Sequence, residues 1–359
     1  MPLHPDVLGF VRSYVAPNAA AMAQGVGPSP KEVLYAAGRH DLAGLLLPVE
    51  YGGADASHVD FVDAVEQIAA ACASTSVILD VHLSVAVYPL LLLGNEAQKQ
   101  EFLPGMASGE RLGAFALTEA QSGSDAAGMQ ASARRSGTTY RLSGSKVFIT
   151  NGGAADVAIV VLRTSQDKSG ISAFILDCTT PGVSWGAPLH KMGLRGSMTR
   201  ELILEDVEID ASCRLGDEGD GFKIAMRALD VGRFGIAAQA VGIAHAAVTG
   251  MAVNGQVDEM LLATLGAQVS AARQLCLFAA LLADAGQPLT EAAAIAKLYA
   301  TDVCVAATQA AVDFAAPASG ADDHPAAIRF RDAKASQIYE GTNQIQRVVV
   351  ARQLLRGGA

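Results

Sequence analysis

The sequence predicts an α+β protein built from three domains, and two changes of pattern along the chain support this prediction. Residues 1 to 113 place apolar side chains three and four positions apart, as in DFVDAVEQIAAACAST, which is typical of helices. Residues 114 to 213 form short β-branched or alternating segments separated by Gly, Ser and Asp, a pattern that predicts antiparallel strands. Long Ala-rich helices return over residues 214 to 359. We therefore expect an N-terminal α-helical domain, a middle β domain and a C-terminal helical domain.

The composition favours a compact globular protein and argues against several classes. The chain has 359 residues, of which 51% are hydrophobic and 17% charged, and its net charge is −10. Such an acidic chain lacks the basic footprint that nucleic acid binding requires. The five cysteines are scattered and form no CxxC pair, which argues against a disulfide framework and a zinc site. The N-terminus MPLHPDVLGF resembles neither a signal nor a transit peptide, so we expect a cytoplasmic protein.

One apolar stretch is long enough to cross a membrane. Residues 234 to 253 carry no formal charge over 20 positions. The stretch consists mainly of Ala and Gly, however, and includes Gln239 and His245. We predict a buried bundle helix, close-packed through small residues, and no membrane span.

Five blocks of sequence resemble the acyl-CoA dehydrogenase family, in that family's order and spacing. They are FALTEAQSGSDAAG (115–128), KVFITNG (146–152), KMGLRGSMTRELILEDVEI (191–209), ALDVGRFGIAAQAVGIA (228–244) and RDAKASQIYEGTNQIQRVVVARQLL (331–355). The similarity covers nearly the whole chain. It implies an N-terminal helical domain, a middle antiparallel β domain and a C-terminal four-helix bundle, with FAD held between them. It also implies oxidation of an acyl thioester, of CoA or of an acyl carrier protein, across its α and β carbons.

The resemblance gives Glu340 in QIYEGTNQIQ the role of catalytic base. A glutamate followed by Gly341 and Thr342 could otherwise be a solvated charge at the start of a helix. The implied reaction needs a fixed base near the α-carbon and donors for the thioester oxygen, one of them the Glu340 N–H, while hydride leaves for flavin N5. Gly341 would allow close approach of the backbone, and burial should raise the pKa of Glu340. Some branches of the family carry the base at the position of Gly232, which cannot serve here.

The resemblance also implies a set of flavin contacts. The segment from Phe115 to Ser124 would pass the flavin ring, Phe148 would pack against it, and Thr150 would bond near N5. The implied cofactor-binding residues are Phe115, Ala116, Leu117, Thr118, Ser124, Phe148, Ile149, Thr150, Thr342, Asn343 and Gln344. Ala120 stands where the family usually has proline, which would loosen the loop without removing a contact.

Asp230 and Arg233 lie three positions apart and therefore share one helix face. They could form an ordinary intrahelical ion pair worth about 0.3–0.5 kcal/mol. The resemblance instead places them near the pantetheine and thioester. Further implied substrate contacts are Ser124 and Gly341, with Tyr339 and residues 88 to 94 as candidates for the acyl pocket. We assign no chemical role to three residues of a further family block, Arg195, Ser197 and Thr199. We interpret three more residues as ordinary surface or inter-domain charges: Lys146, Arg331 and Lys334.

Two segments depart from the family pattern. Residues 248 to 268 contain no Arg, Lys or Phe, and in residues 312 to 320 the family's Gln-x-x-Gly-Gly has become Asp313 with Ala316-Pro317. In the family these segments reach across a dimer interface to the ADP half of the neighbour's FAD. An aspartate repels phosphate, and proline lacks an N–H to donate.

Three interpretations of these departures stay open. The chain could pair with a related subunit that supplies the missing contacts, could bind FAD by other contacts in a homodimer or tetramer, or could have lost the flavin and use Glu340 in a non-redox reaction. The leading hypothesis is an FAD-bound dehydrogenase of acyl thioesters that works as a homo- or hetero-oligomer, with an electron-transfer flavoprotein as one candidate for the electron acceptor. An oxidase on the same fold and a non-catalytic partner subunit are the alternatives.

Overall fold

The computed structural model describes residues 6–167, 170–254, 258–315 and 323–357. The N-terminal part is helical, with seven α-helices in the described residues. They are α1 Val7–Phe10, α2 Ala16–Gln24, α3 Pro30–Gly38, α4 His58–Ala71, α5 Ala73–Val81, α6 Tyr88–Leu93 and α7 Glu96–Ala107.

Local sequence explains where these helices begin and how they join. Ser29, Ser57 and Asn95 each cap a helix with a side chain that accepts from the third residue of that helix. The carboxylate or amide oxygen of that third residue accepts a hydrogen bond from the N–H of the capping residue. Together these bonds satisfy backbone donors that have no partner within the helix. Between α5 and α6 the helix continues as a π-helical turn, His82–Val87, an uncommon geometry frequently found at functional sites. Another π-helical turn, Val11–Val15, joins α1 to α2.

The middle part is one sheet of eight strands in the described residues. They are β1 Gly113–Ala116, β2 Ser132–Ser136, β3 Thr139–Thr150, β4 Val157–Arg163, β5 Ile171–Asp177, β6 Val183–Trp185, β7 Thr199–Asp210 and β8 Arg214–Leu215. The order is β6-β7-β3-β2-β4-β5-β8, with β1 also paired to β4. The predicted antiparallel pairing holds except where β4 meets β1 and β2, which run parallel to it. Neither of these parallel partners is a sequence neighbour of β4, so a tight hairpin turn imposes no direction on the pairing.

The C-terminal part returns to helices, as predicted. Three are long, α8 Gly221–Asn254, α9 Glu259–Asp284 and α10 Thr290–Ala315, and two are shorter, α11 Pro325–Ser336 and α12 Asn343–Gly357. α8 is the centre of the molecule, because it packs against α4, α9 and α10 and also touches β5. Small residues permit this close packing: a Cβ added at Gly242 would lie 2.2 Å from the Glu66 carbonyl oxygen on α4.

Three helical stretches of the described chain are long and apolar enough to cross a membrane, judged by length and composition alone. They are Ala73–Leu93, Gly221–Val253 and Glu259–Asp284. The most apolar windows of the first two are 78% and 61% buried inside the protein, which explains their composition through packing. The corresponding window of α9 is only 33% buried. The stretch from 234 to 253 therefore lies within the helix at the core of the molecule.

The helices and the sheet are joined by polar contacts as well as by apolar packing. Asn151, at the end of β3, donates to the carbonyl oxygens of Ile78 on α5 and Gly113 on β1, at 3.2 and 3.0 Å. The loop before β7 contacts the helices as well, because the Leu194 N–H donates to Asp332 at 2.6 Å and the Gly196 N–H to Ser74 at 3.3 Å. The block containing Arg195, Ser197 and Thr199 thus forms a junction between domains.

Candidate functional site

Glu340 occupies the short connection between α11 and α12, in a backbone conformation that is rare for a non-glycine residue. Its φ is +55°, and Gly341 follows with φ +91°. The carboxyl oxygen Oε2 is buried and accepts no hydrogen bond from the described residues. Burial raises the pKa of Glu340 to about 7, and the positive charges of Arg233 and Lys297 limit that rise. A strained, enclosed carboxyl group that is half ionised near neutral pH is suited to accept a proton.

The carboxyl group of Glu340 packs against α8 at Gly232, the position that carries the base in other branches of the family that the sequence resembles. A Cβ added to Gly232 would lie 2.5 Å from Glu340 Oε2, so any larger residue would displace the carboxyl group. The two positions that the resemblance offers for a base therefore lie against each other in this structure. Gly341 has a different reason to be glycine, since φ +91° is itself unfavourable for other residues.

Lys297 on α10 fixes the connection that carries Glu340. Its ammonium group is buried and donates to the Gly341 carbonyl oxygen at 2.8 Å and to Asn343 Oδ1 at 2.9 Å. Gln346 also donates to the Gly341 carbonyl, at 2.9 Å. Burial lowers the pKa of Lys297 to about 7, against the stabilising charge of Glu340. Lys297 thus acts on Glu340 both through backbone position and through charge.

Asp230 and Arg233 form a buried ion pair, not the exposed helix pair of the simpler interpretation. The distance from Arg233 Nη1 to Asp230 Oδ1 is 2.6 Å, and the side chains are 6% and 12% exposed. Thr290 donates to the other Asp230 oxygen at 2.6 Å. Arg233 Nε is buried without a partner in the described residues, so this guanidinium retains a donor beside Glu340.

Phe148, the residue predicted to pack against the flavin ring, lies near the end of β3. Phe148 is 66% exposed and has φ +61°, at a bulge between β3 and β7. The adjacent Val147 N–H donates to the Thr118 carbonyl at 2.8 Å, which brings the two predicted flavin segments together. A bulky aromatic residue held exposed in left-handed backbone indicates a functional constraint, and a flat ring system fits against it.

The other predicted cofactor residues differ in what they can offer. Thr118, Thr150, Thr342 and Phe115 are partly exposed, and Ser124 and Gln344 are exposed. The side chains of Ala116, Leu117 and Ile149 pack in the core, which leaves their backbone groups for any contact. Asn343 is turned inwards, where its amide donates to Thr301 and Asp302 at 2.9 and 2.8 Å. An open cavity of 280 Å³ lies beside Thr342 and Gln344, with Asp302, Lys334 and Arg347 on its wall.

Lys146 is not a surface charge, and the expectation for it was wrong. Its side chain is fully buried in the sheet, with Nζ 2.7 Å from Glu119 and 3.0 Å from the Leu117 carbonyl. Glu119 also accepts from the N–H groups of Gln130 and Ala131, at 2.7 and 3.0 Å. The pair fixes the turn that follows Thr118. Lys334, in contrast, donates to Gln337 on its own helix, as a surface residue would.

Of the two altered ADP segments, the structure describes residues 248–254, 258–268 and 312–315. Asp313 lies near the end of α10 and accepts from Gln309 at 2.9 Å. Ala316 and Pro317 lie outside the described residues, as do residues 255 to 257. The ring side of an FAD site fits the residues present, whereas the ADP side has no cationic residue in the sequence from 248 to 268.

Two residues of the site were not predicted, Lys297 and Asp80. Lys297 lies in AAAIAKLYA, where a single lysine in an Ala-rich helix gives a weak signal. Asp80 is the only Asp, Glu, Lys or Arg between Ala73 and Leu93, an isolated charge in an apolar helix that could have been noticed.

A helical framework around a β domain, an enclosed carboxyl group and an exposed aromatic residue at a bulge fit the flavoprotein family that the sequence resembles. Comparison with known proteins agrees. Family models of the acyl-CoA dehydrogenase N-terminal, middle and C-terminal domains match residues 3–110, 114–207 and 219–355. The chain belongs to the acyl-CoA dehydrogenase family, whose members are oxidoreductases acting on CH–CH bonds.

Individual relatives are similar over nearly the whole length of this chain. An acyl-CoA dehydrogenase of Bacillus subtilis (strain 168) is 43% identical, covering 98% of this chain and 96% of the relative. The structure of butyryl-CoA dehydrogenase from Megasphaera elsdenii has a TM-score of 0.93 at 38% identity, covering 99% and 98%. A structure described as the electron transferring flavoprotein of Acidaminococcus fermentans has a TM-score of 0.95 at 37% identity, covering 99% and 97%. An acyl-CoA dehydrogenase complexed with FAD from Bacillus anthracis has a TM-score of 0.92 at 29% identity, covering 99% of this chain and 66% of the other.

Proposed function

We propose that the protein is a flavin-dependent dehydrogenase of short-chain acyl thioesters in which Glu340 removes the α-proton. The carrying observation is the enclosed carboxyl group of Glu340, with an unpartnered oxygen and a pKa of about 7. Base catalysis is most effective when the pKa of the base lies near the working pH, and an unpartnered oxygen leaves a lone pair for the incoming proton.

The surrounding residues support proton transfer in different ways. The charges of Arg233 and Lys297 favour the ionised form of Glu340, which is the form that accepts the proton. Lys297 and Gln346 hold the Gly341 carbonyl, so the carboxyl group is fixed before substrate binds. The Glu340 N–H is the proposed donor to the thioester oxygen, where negative charge develops. FAD supplies the acceptor for the hydride that leaves the β-carbon.

Phe148, with the backbone and side-chain groups of Thr118 and Thr150, is the proposed contact surface for the flavin ring. Backbone groups of Ala116, Leu117, Ile149 and Asn343 and the side chains of Phe115, Ser124, Thr342 and Gln344 complete the proposed set. The ADP half requires donors that segment 248–268 lacks, so we propose that a second chain provides them, either a related chain through its own version of this segment or an identical chain through other residues.

The proposed substrate is a butyryl-sized thioester of CoA or of an acyl carrier protein, by similarity to the butyryl-CoA dehydrogenase of Megasphaera elsdenii. Ser124, Asp230, Arg233 and Gly341 are the proposed contacts to its thioester and pantetheine. Similarity to the Acidaminococcus fermentans structure favours an electron-transferring flavoprotein as acceptor over molecular oxygen. We expect this reaction in the cytoplasm.

The test is the bleaching of bound flavin by butyryl-CoA under anaerobic conditions, comparing the unaltered protein with Glu340→Gln. We expect unchanged flavin content and bleaching slowed by at least about 100-fold, because the amide cannot accept the proton. Glu259→Gln, at an exposed position on α9, should leave the rate unchanged. Equal bleaching by Glu340→Gln and the unaltered protein would remove Glu340 from the mechanism.

A further inference from the structure

Asp80 is a buried acid whose carboxyl group is left without hydrogen bonds. Its exposure is 0%, and neither carboxyl oxygen has a partner in the described residues. Ser84 lies close enough to the carboxyl group to lower its pKa, but its hydroxyl donates to the main-chain carbonyl of Asp80 at 2.6 Å, and Tyr339 donates to Gln239. An unsatisfied buried polar group costs about 1–3 kcal/mol, so it needs a reason to be there.

The position of Asp80 relative to Glu340 supplies that reason. A Cβ added to Gly235 would lie 2.2 Å from Asp80 Oδ1, just as a Cβ added to Gly232 would lie 2.5 Å from Glu340 Oε2. Both carboxyl groups therefore lie on one face of α8, over glycines three residues apart. Cβ positions at that spacing are separated by about 5–6 Å, so the two acids are about one helical turn apart.

This spacing matches a short acyl chain. If Glu340 contacts the α-carbon, Asp80 lies beside the chain further along its length. An atom bonded to the γ-carbon is three bonds from the α-carbon, which is about 3.8 Å in an extended chain. A donor at that atom would reach Asp80 while the α-proton faces Glu340.

The electrostatic surroundings of Asp80 also favour a ligand that carries a hydrogen-bond donor. Burial and the negative charge of Glu340 raise the pKa of Asp80 well above its usual value. Whether ionised or not, a carboxyl group retains an acceptor oxygen, whereas an alkyl chain offers it no hydrogen. Burying a plain methyl group against this carboxyl would leave it unsatisfied. The π-helical turn His82–Val87 begins two residues after Asp80, an irregularity of the kind that frequently marks functional sites.

We propose that Asp80 determines substrate specificity by accepting a hydrogen bond from a hydroxyl or amino group on the γ-carbon of the acyl chain. The inference rests on the proposed function for the place of the acyl chain. It narrows the substrate class from short alkanoyl thioesters to short acyl thioesters with a donor at that carbon.

The test compares ligands that differ in one group, measured by calorimetry on the full chain with FAD added. The probes are non-reactive pantetheine thioethers with 4-hydroxybutyl, 4-aminobutyl and pentyl chains. We expect the hydroxybutyl or the aminobutyl probe to bind at least about tenfold more tightly than the pentyl probe. A preference only for the aminobutyl probe identifies an ammonium group as the donor. In Asp80→Leu the pentyl probe should bind more tightly than the other two probes. Asp80→Asn is the matched control, because it keeps an acceptor oxygen, and its preference for the hydroxybutyl probe should persist.

The outcomes separate this inference from the proposed function. Equal or tighter binding of the pentyl probe to the unaltered protein overturns the inference, whatever the variants do. Flavin bleaching by butyryl-CoA together with that result leaves the proposed function standing. A clear preference for a donor without any bleaching supports Asp80 as a specificity residue and counts against the dehydrogenase.

Discussion

At the scale of single residues, the protonation of Glu340 governs the site. Its pKa of about 7 lies above the ordinary value of 4.5, and only the ionised carboxylate can accept a proton. We therefore expect kcat/KM for butyryl-CoA to rise with pH through about 7 and then to level off. Stopped-flow measurement of flavin reduction from pH 5.5 to 9 tests this. A rate already constant at pH 5.5 would show that Glu340 is not the titrating base.

Lys297 is expected to control the acid limb of that same profile. In Lys297→Met the stabilising charge beside Glu340 is removed, so its pKa should rise and the limb should move to higher pH. The Gly341 carbonyl also loses a donor, and we expect flavin reduction at pH 7 to slow by about tenfold or more. Lys223→Met, an exposed lysine on α8, is the control. A slower rate with an unshifted limb would indicate that Lys297 supports the backbone only.

The residues also show what the sequence can predict. Glu340 and Phe148 were predicted because they lie in motifs whose order along the chain is distinctive. Lys146 was misjudged because its partner Glu119 lies 27 positions away, and the burial of the pair depends on how the strand meets the turn. The roles of Lys297 and Asp80 depend on groups that approach them only when the helices pack together, so the sequence around each residue does not reveal them.

At the scale of elements, the buried pair in the sheet should matter more for stability than an exposed one. We expect Lys146→Met to lower the free energy of unfolding by about 3–5 kcal/mol, because it leaves Glu119 buried without its cation. Arg141 on the same strand pairs with Glu208 at 3.3 Å, but both side chains are more than half exposed. Arg141→Met should therefore cost less than about 1 kcal/mol. Urea denaturation of both variants makes the comparison, and equal costs would contradict it.

The sequence predicted the order and type of the elements well, and their exact pairing less well. The segment YRLSGSKVFITNG (140–152) predicted a strand where β3 lies, but nothing in it indicated the bulge that exposes Phe148. The Ala-rich pattern predicted α8, α9 and α10, because long apolar periodicity persists whatever the partner. The parallel pairing of β1 with β4 joins strands that β2 and β3 separate along the chain, a non-local contact that local patterns do not contain.

At the scale of the whole molecule, we propose that the surface of α9 takes part in association between chains. Phe278 and Leu281 on this helix are 55% and 56% exposed, an unusual cost for an isolated chain in water. We expect sedimentation velocity to show a dimer or larger species that the double variant Phe278→Glu/Leu281→Glu breaks into monomers. Leu8→Glu, exposed on α1, is the control.

The visible absorption spectrum of the same samples, with and without added FAD, tests where the ADP contacts originate. A stoichiometric flavin spectrum in the oligomer that is lost in the monomeric double variant would place those contacts across the interface. Stoichiometric flavin in the monomer would contradict the proposal that a second chain contributes. An oligomer without flavin, even in excess FAD, would indicate that a related subunit is required.

The two glycines of α8 beneath Glu340 and Asp80 have a consequence for sequence variation. In an Ala-rich helix, exchange of glycine for alanine is ordinarily favourable by about 1 kcal/mol. At Gly232 and Gly235 the added methyl group would instead meet a carboxyl oxygen at 2.5 or 2.2 Å. A library covering this helix should therefore tolerate alanine at most positions, but not at these two, nor at Gly221 and Gly242, where the methyl group would meet main-chain atoms at 2.4 and 2.2 Å. Selection for activity should remove alanine at both Gly232 and Gly235. Selection for folding alone should accept alanine at Gly232, because only the end of the Glu340 side chain has to move there.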